Sequence, residues 1–125
     1  MLKLITNAEY GVLVRAAEAA RDKIPEAHNR KRWHTYHTNL RTAVYRTVGQ
    51  LIDPEELQAD DILVYARTTN YGTRKYPDYE RTVEWHRLTQ ENLDTRRTRS
   101  GFVWKGRYKG DGSRIYDSEV LAVVR

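Results

Sequence analysis

Hydrophobic residues recur every three to four positions between residues 25 and 52, and this periodicity predicts a long amphipathic helix. The apolar face of this helix contains Trp33, Tyr36, His37, Leu40, Val44, Val48 and Leu51. The helix is expected to end at Asp53-Pro54, because the residue before a proline is disfavoured in the helical conformation. Since its apolar stripe is the longest in the chain, we expect this helix to lie across the sheet.

An earlier helix is predicted over about residues 6–23. Thr6 has the side chain of an N-cap, and small and large apolar residues then recur at helical spacing from Tyr10 to Ala20. Ile24-Pro25 separates the two helices by a very short connection. Such a connection predicts that the helices are antiparallel neighbours.

From residue 62 the pattern becomes that of strands, which gives a β-rich half at about residues 62–125. Residues 79–88 fit either a strand or a helix, and we favour the strand because Thr82, Val83 and Trp85 suit a pleated surface. Aromatic residues alternate with basic ones from residue 102, and an Asp-Gly turn follows. The apolar run at residues 120–124 predicts a strand that is buried on both faces.

These elements predict an α+β protein in which an N-terminal antiparallel helix pair packs on one face of a small, mostly antiparallel C-terminal sheet of four to five strands. The length of 125 residues fits a single domain spanning residues 1–125. The hydrophobic fraction of 39% is low for a globular protein, but nine tyrosines and three tryptophans bury large areas per residue. We therefore expect a folded domain with a thin, aromatic core.

The composition excludes several classes of site. The chain has no cysteine, which rules out disulfides, thiolate metal sites and a cysteine nucleophile. No glycine-rich phosphate loop, zincin helix or nucleophile elbow is present, so we expect no cofactor. No apolar run reaches the length of a membrane span, and we expect a soluble, intracellular protein of the cytoplasm with no membrane contact.

The net charge of +5 comes mostly from arginine, which binds phosphate bidentately and stacks on flat rings. Basic residues alternate with aromatic rings in three stretches, at residues 30–36, 71–79 and 96–108. Basic side chains neutralise phosphates and rings stack on exposed bases, so these stretches predict a nucleic-acid surface. The predicted phosphate-binding residues are Arg74, Lys75, Arg96, Arg97, Arg99, Arg107 and Lys109, and the predicted stacking residues are Tyr71, Tyr76 and Trp104.

A few residues are remote candidates for catalysis: Arg32, His34, His37 and His86. Arg32 and His37 have the spacing Arg-x4-His, which is similar to that of a helical family of ribonucleases, although the β-rich half here is unlike an all-helical fold. His34 and His37 are three positions apart on a helix and close enough to share a metal, but no third ligand is evident nearby. We therefore expect ordinary solvated or core residues and no metal site.

Three functions are compatible with these observations. The first is a small basic, non-enzymatic binding protein that contacts nucleic acid or a nucleoprotein complex through an Arg/Tyr-rich surface. The second is a structural or interaction subunit of a larger assembly, or a protein inhibitor, with a protein partner or a homo-oligomer, because Tyr, Trp and Arg also anchor protein interfaces. The third is a metal-independent ribonuclease that uses the remote candidates.

Overall fold

The computed structural model describes residues 1–94, 97–98, 101–105 and 114–125. The three helices are α1 (Asn7–Asp22), α2 (Asn29–Arg46) and α3 (Gln90–Asp94) in this part of the chain. The strands there are β1 (Leu2–Ile5), β2 (Gln50–Ile52), β3 (Ile62–Asn70), β4 (Tyr79–Arg87), β5 (Arg97–Thr98), β6 (Gly101–Lys105), β7 (Arg114–Tyr116) and β8 (Val120–Val124). Single 3-10 turns lie at Glu26–His28, Pro54–Glu56 and Asp117–Glu119.

The main sheet has five strands in the order β2-β1-β8-β3-β4. Strand β1 pairs with β8 in parallel, and the other neighbours pair antiparallel. The predicted α+β class, with an N-terminal helix pair and a mostly antiparallel sheet, is therefore confirmed. Residues 79–87 form the strand that the sequence favoured, and it pairs with β3 along nine residues to make the edge of the sheet.

Two differences from the sequence prediction concern the N-terminal half. Strands β1 and β2 lie there, before the predicted β-rich half. The second helix is shorter than the predicted residues 25–52, because it begins at Asn29 and ends at Arg46. After the helix the chain turns toward β1 and passes very close to it at Gly49. A Cβ at this position would lie 2.6 Å from the carbonyl oxygen of Leu4 in β1, so a glycine is needed there. Val48 consequently leaves the apolar stripe and is 94% exposed.

One face of the main sheet is covered by the helix pair. The buried residues of this layer come from β1, α1, α2, β3, β4 and β8, and they are Ile5, Ala17, Leu40, Val44, Val64, Val83, Ala122 and Val124. Thr6 caps α1, since its hydroxyl oxygen accepts a hydrogen bond of 3.0 Å from the backbone N–H of Glu9. The predicted helix layer is thus built from the two helices that the periodicity identified.

The opposite face of the sheet is also covered. Leu57, Leu93 of α3 and Ile115 of β7 are buried there against Leu63 and Val123. Strands β5, β6 and β7 form a second, three-stranded sheet. Val123 and Val124 belong to the cores on opposite faces, which confirms that β8 is buried on both sides.

A buried ion pair ties the end of β8 to the turn before β3. Asp61 is 2% exposed, and its two carboxylate oxygens accept hydrogen bonds of 2.9 Å each from Nε and Nη2 of Arg125. The backbone N–H of Gln58 donates a further hydrogen bond of 2.9 Å to the same carboxylate. A buried charge needs such complete pairing, so this contact is part of the fold rather than of a binding surface.

Candidate nucleic-acid interface

The connection between β3 and β4 lies beside the first half of α2. Arg30 of α2 donates a hydrogen bond to the carboxylate of Asp78, and His34 Nδ1 lies 2.8 Å from Glu80 Oε1 of β4. These contacts bring together two of the three basic and aromatic stretches. The exposed basic and aromatic residues of this region form the helix–hairpin surface, which consists of Arg30, Lys31, Trp33, His34, Tyr71, Arg74, Lys75, Tyr76 and Tyr79.

The β3–β4 loop is held together by its own backbone and short side chains. Asn70 Oδ1 accepts hydrogen bonds of 2.9 Å from the backbone N–H groups of both Gly72 and Asp78. Thr73 Oγ1 accepts another of 2.9 Å from the N–H of Tyr76. Because the short side chains satisfy the backbone, the long ones are free to face solvent, and Tyr71, Arg74, Lys75 and Tyr76 are all exposed.

The beginning of α2 lacks the acidic residues and the side-chain cap that usually stabilise a helix N-terminus. Its residues Arg30, Lys31 and Arg32 are basic, its first turn contains no acidic residue, and its N-cap His28 makes no side-chain capping hydrogen bond. The N-terminal end of a helix carries a positive partial charge, which disfavours cations there and favours anions. Carboxylates from outside the helix offset two of these cations, since Asp78 pairs with Arg30 and Asp22 pairs with Arg32.

Two exposed rings from different elements line one cleft of about 490 Å³. They are Trp33 of α2 and Tyr71 of the loop, and Arg30 lies in the same cleft. Trp33 is 46% exposed, and its orientation is fixed by an edge contact with Tyr36 and by the Arg21 guanidinium 5.2 Å from the ring centroid. A ring that is fixed in place and partly open to solvent is suited to stacking on a flat ligand.

A second cleft of about 600 Å³ lies on the adjoining side of Arg30. Both acidic residues in it are already engaged, Asp78 by Arg30 and Glu80 by His34. Lys31 makes no ion pair with any residue that the structure describes, and the same holds for Arg74 and Lys75 on the loop. The engaged carboxylates therefore leave cations available to an anionic ligand.

His37 lies below this surface and is half-buried. Its ring packs against Trp33 and Tyr36, with ring centroids 6.4 Å and 5.5 Å away. Its Nδ1 is buried and has no hydrogen-bond partner among residues 1–94, 97–98, 101–105 and 114–125. Burial lowers the pKa of His37, so the ring is neutral at neutral pH and supports the rings above it.

The remote catalytic candidates do not form one group. Arg32 Nη2 lies 3.3 Å from Asp22 Oδ1, toward α1, whereas His86 Nε2 lies 2.9 Å from Asn92 Oδ1 near α3. Of the four candidates, His34 lines the cleft of about 600 Å³ and His37 lines the cleft of about 490 Å³. Arg32 and His86 line neither cleft. The Arg-x4-His spacing therefore does not assemble a site, because its arginine is engaged elsewhere.

The predicted nucleic-acid residues divide into two sets. Tyr71, Arg74, Lys75 and Tyr76 lie on the helix–hairpin surface, as described. The positions Arg96, Arg99, Arg107 and Lys109 lie outside the described residues, and Arg97 and Trp104 belong to β5 and β6. The prediction left out Arg30, Lys31, Trp33 and Tyr79, although the basic, uncapped start of α2 could have identified the helical members.

Among the described residues, no group of three or more histidines and carboxylates could hold a metal ion. Within the same part of the chain, no helix is long and apolar enough to cross a membrane. Comparisons of the chain with protein-family models, with curated proteins and with solved structures find no match.

Proposed function

We propose that this protein binds single-stranded nucleic acid, alone or within a nucleoprotein complex, through the helix–hairpin surface. The observation that carries the proposal is the cleft in which Trp33 and Tyr71 are presented together beside Arg30. Arg30 lines this cleft and Lys31 lines the adjoining one, so basic side chains accompany the exposed rings, in the combination that contacts both bases and phosphates. As part of this proposal we infer a cytoplasmic location, with which a chain without cysteine is compatible.

The exposed rings favour a single strand over a duplex. Bases in a duplex are stacked on each other, whereas the bases of a single strand are free to stack on an aromatic side chain. Each such contact contributes about 1–3 kcal/mol and accepts any base. Trp33, Tyr71 and Tyr79 therefore support binding with little sequence preference.

The cations support contacts with the phosphate backbone. Lys31 and Arg30 lie at the positive end of α2, and Arg74 and Lys75 are exposed on the loop between β3 and β4. Each phosphate that is neutralised releases condensed counterions, so the affinity for a single strand falls with salt by about 0.7 in log–log slope per contact. The overall charge of +5 acts in the same direction.

The test is a fluorescence-anisotropy titration of a labelled single-stranded oligodeoxynucleotide over a series of salt concentrations. The wild-type protein is expected to bind with an affinity that decreases steeply with salt. The double variant Arg74→Gln/Lys75→Gln is expected to reduce the log–log slope by about 1.4, which corresponds to two lost phosphate contacts. The matched control Arg15→Gln/Arg46→Gln removes the same charge from exposed positions elsewhere on the helices and should leave the slope unchanged within error. Binding that is absent, or insensitive to salt, contradicts the proposal.

A second candidate function, that of an interaction subunit, is favoured by a different region. Leu51 in β2, an edge strand of the main sheet, is exposed, and so are Tyr45 and Val48 shortly before this strand in the chain. Exposed apolar residues beside an open sheet edge are typical of protein interfaces. Under this alternative the protein forms a homo-oligomer or captures a protein partner. Light scattering coupled to gel filtration distinguishes the two, since a concentration-independent monomer excludes the homo-oligomer.

A further inference from the structure

His34 and Glu80 form a pair with a defined proton arrangement. His34 Nδ1 lies 2.8 Å from Glu80 Oε1, and an ionised carboxylate only accepts hydrogen bonds, so Nδ1 carries the proton. The neutral ring then has its lone pair on Nε2, to which no described residue donates a hydrogen bond. This is the arrangement in which a carboxylate orients an imidazole as a general base.

The exposure of the two side chains agrees with these different roles. The Glu80 side chain is 15% exposed, whereas the His34 side chain is 61% exposed. Glu80 is fixed within β4, a strand with a complete register on β3, so the carboxylate has a rigid base. The imidazole is accordingly held by a partly buried carboxylate at one nitrogen and open to a substrate at the other.

The same cleft of about 600 Å³ contains a second imidazole and a cation. His28, which precedes α2, and Lys31, in its first turn, both line it beside His34. Tyr79, an exposed ring of β4, lies at the same cleft and offers a face to a base. A base, a second proton-transfer group, an anion-binding group and a stacking ring therefore surround one cavity.

We propose that this cleft cleaves single-stranded RNA, with His34 as general base and His28 as general acid. The activity rests on the proposed nucleic-acid binding and goes beyond the non-enzymatic role that the sequence predicted. His34 Nε2 takes the proton of a ribose 2′-hydroxyl, and the 2′-oxygen forms a bond to the adjacent phosphorus. The bond from phosphorus to the 5′-oxygen of the next nucleotide breaks, and protonated His28 donates its proton to that oxygen.

The products of this step are a 2′,3′-cyclic phosphate and a free 5′-hydroxyl, so the reaction consumes no water and needs no oxidant or metal. Lys31 stabilises the negative charge that develops on the phosphate oxygens. Glu80 is a positioning residue, because it acts on the substrate only through His34. Asp78, the other carboxylate of the cleft, is paired with Arg30 and so repels the phosphate less than a free carboxylate would.

The experiment uses the full chain, a labelled single-stranded RNA containing all four bases, and the DNA of the same sequence, both in the presence of a chelator. RNA cleavage is measured by electrophoresis and product ends by mass spectrometry, while binding is measured with the DNA, which lacks the 2′-hydroxyl. His34→Gln and His28→Gln are each expected to reduce the cleavage rate at least 100-fold, which is far more than any accompanying change in DNA affinity. Glu80→Gln should lower kcat at least tenfold with little change in KM, while the stoichiometry of DNA binding shows that the folded fraction is unchanged.

His86→Gln is the matched control, because His86 also pairs with a side-chain oxygen but lies outside the cleft. It should retain the wild-type rate. RNA that is bound but remains intact overturns the inference and leaves the binding proposal standing. Cleavage that persists in purified His34→Gln also overturns it, and a protein that binds neither RNA nor DNA overturns both proposals.

Discussion

The two halves of α2 have opposite roles although they belong to one continuous helix. The second half lies over the centre of the sheet, where Leu40 is 2% and Val44 0% exposed against Val64, Ala122 and Val124. The first half lies beside edge strand β4 and its loop, where Trp33 and His34 meet polar partners and solvent. The part of the sheet on which each helical turn packs therefore determines the role of its residues. Turns over the centre of the sheet stabilise the fold, and turns beside the edge strand contribute to the candidate site.

The largest expected effect is on stability, from the second half of the helix. Leu40→Ala removes a fully buried side chain and leaves a cavity, so the free energy of unfolding should fall by about 2–5 kcal/mol. Urea denaturation followed by circular dichroism measures this loss. The affinity of the folded fraction for single-stranded DNA should be unchanged, and a selective loss of binding without destabilisation would reverse the roles of the two halves.

The next effect is on binding, from the first half. Trp33→Ala should weaken binding of a single strand by about 1–3 kcal/mol, or roughly 5- to 150-fold, because one stacking contact is lost. It should cost less stability than Leu40→Ala, since Trp33 is already partly exposed. Anisotropy titration gives the affinity, and Tyr45→Ala is the matched control because it removes an exposed ring from the second half of the same helix.

The smallest effect concerns His37, at the boundary between the halves. Burial lowers the pKa of His37 in the folded protein below its usual value of about 6.5, so the unfolded chain binds the proton first as the pH falls. Stability should therefore decrease as the pH is lowered through about 6.5 toward the folded pKa, and be unaffected above this window. Urea midpoints are measured for the wild type and for His37→Gln across this pH range. The difference between the two proteins gives the contribution of His37 to stability, because all other groups titrate in both. An equal slope for the two proteins would contradict the buried, neutral state.

The sequence predicted the fold class well because the helices and long strands carry sustained periodicity. It extended α2 through Val48 and Leu51, because those residues continue the helical spacing although the chain turns at Thr47 to pair β2 with β1. Strands of three or four residues, such as β2 and β1, are too short for a period to be recognised. The prediction of one domain over residues 1–125 stays a prediction.

The candidate site was only half visible in the sequence. The loop residues Tyr71, Arg74, Lys75 and Tyr76 were identified by their composition, and the run from Arg30 to Tyr36 was noted for the same reason. That these two stretches meet depends on the packing of α2 against β4, and the His34–Glu80 contact joins residues 46 positions apart. The periodicity of hydrophobic residues predicts local secondary structure and gives no information about contacts between residues that are distant in the sequence.

The most direct test of the helix–hairpin surface is an amide NMR titration of the isotopically labelled protein with a short single-stranded oligodeoxynucleotide. We expect the shifted resonances to cluster at residues 28–37 and 71–80, and the resonances of residues 40–52 to be unaffected. Shifts that cluster at residues 95–113 or along β2 would place the binding on another surface. The absence of any shift would contradict nucleic-acid binding by this protein.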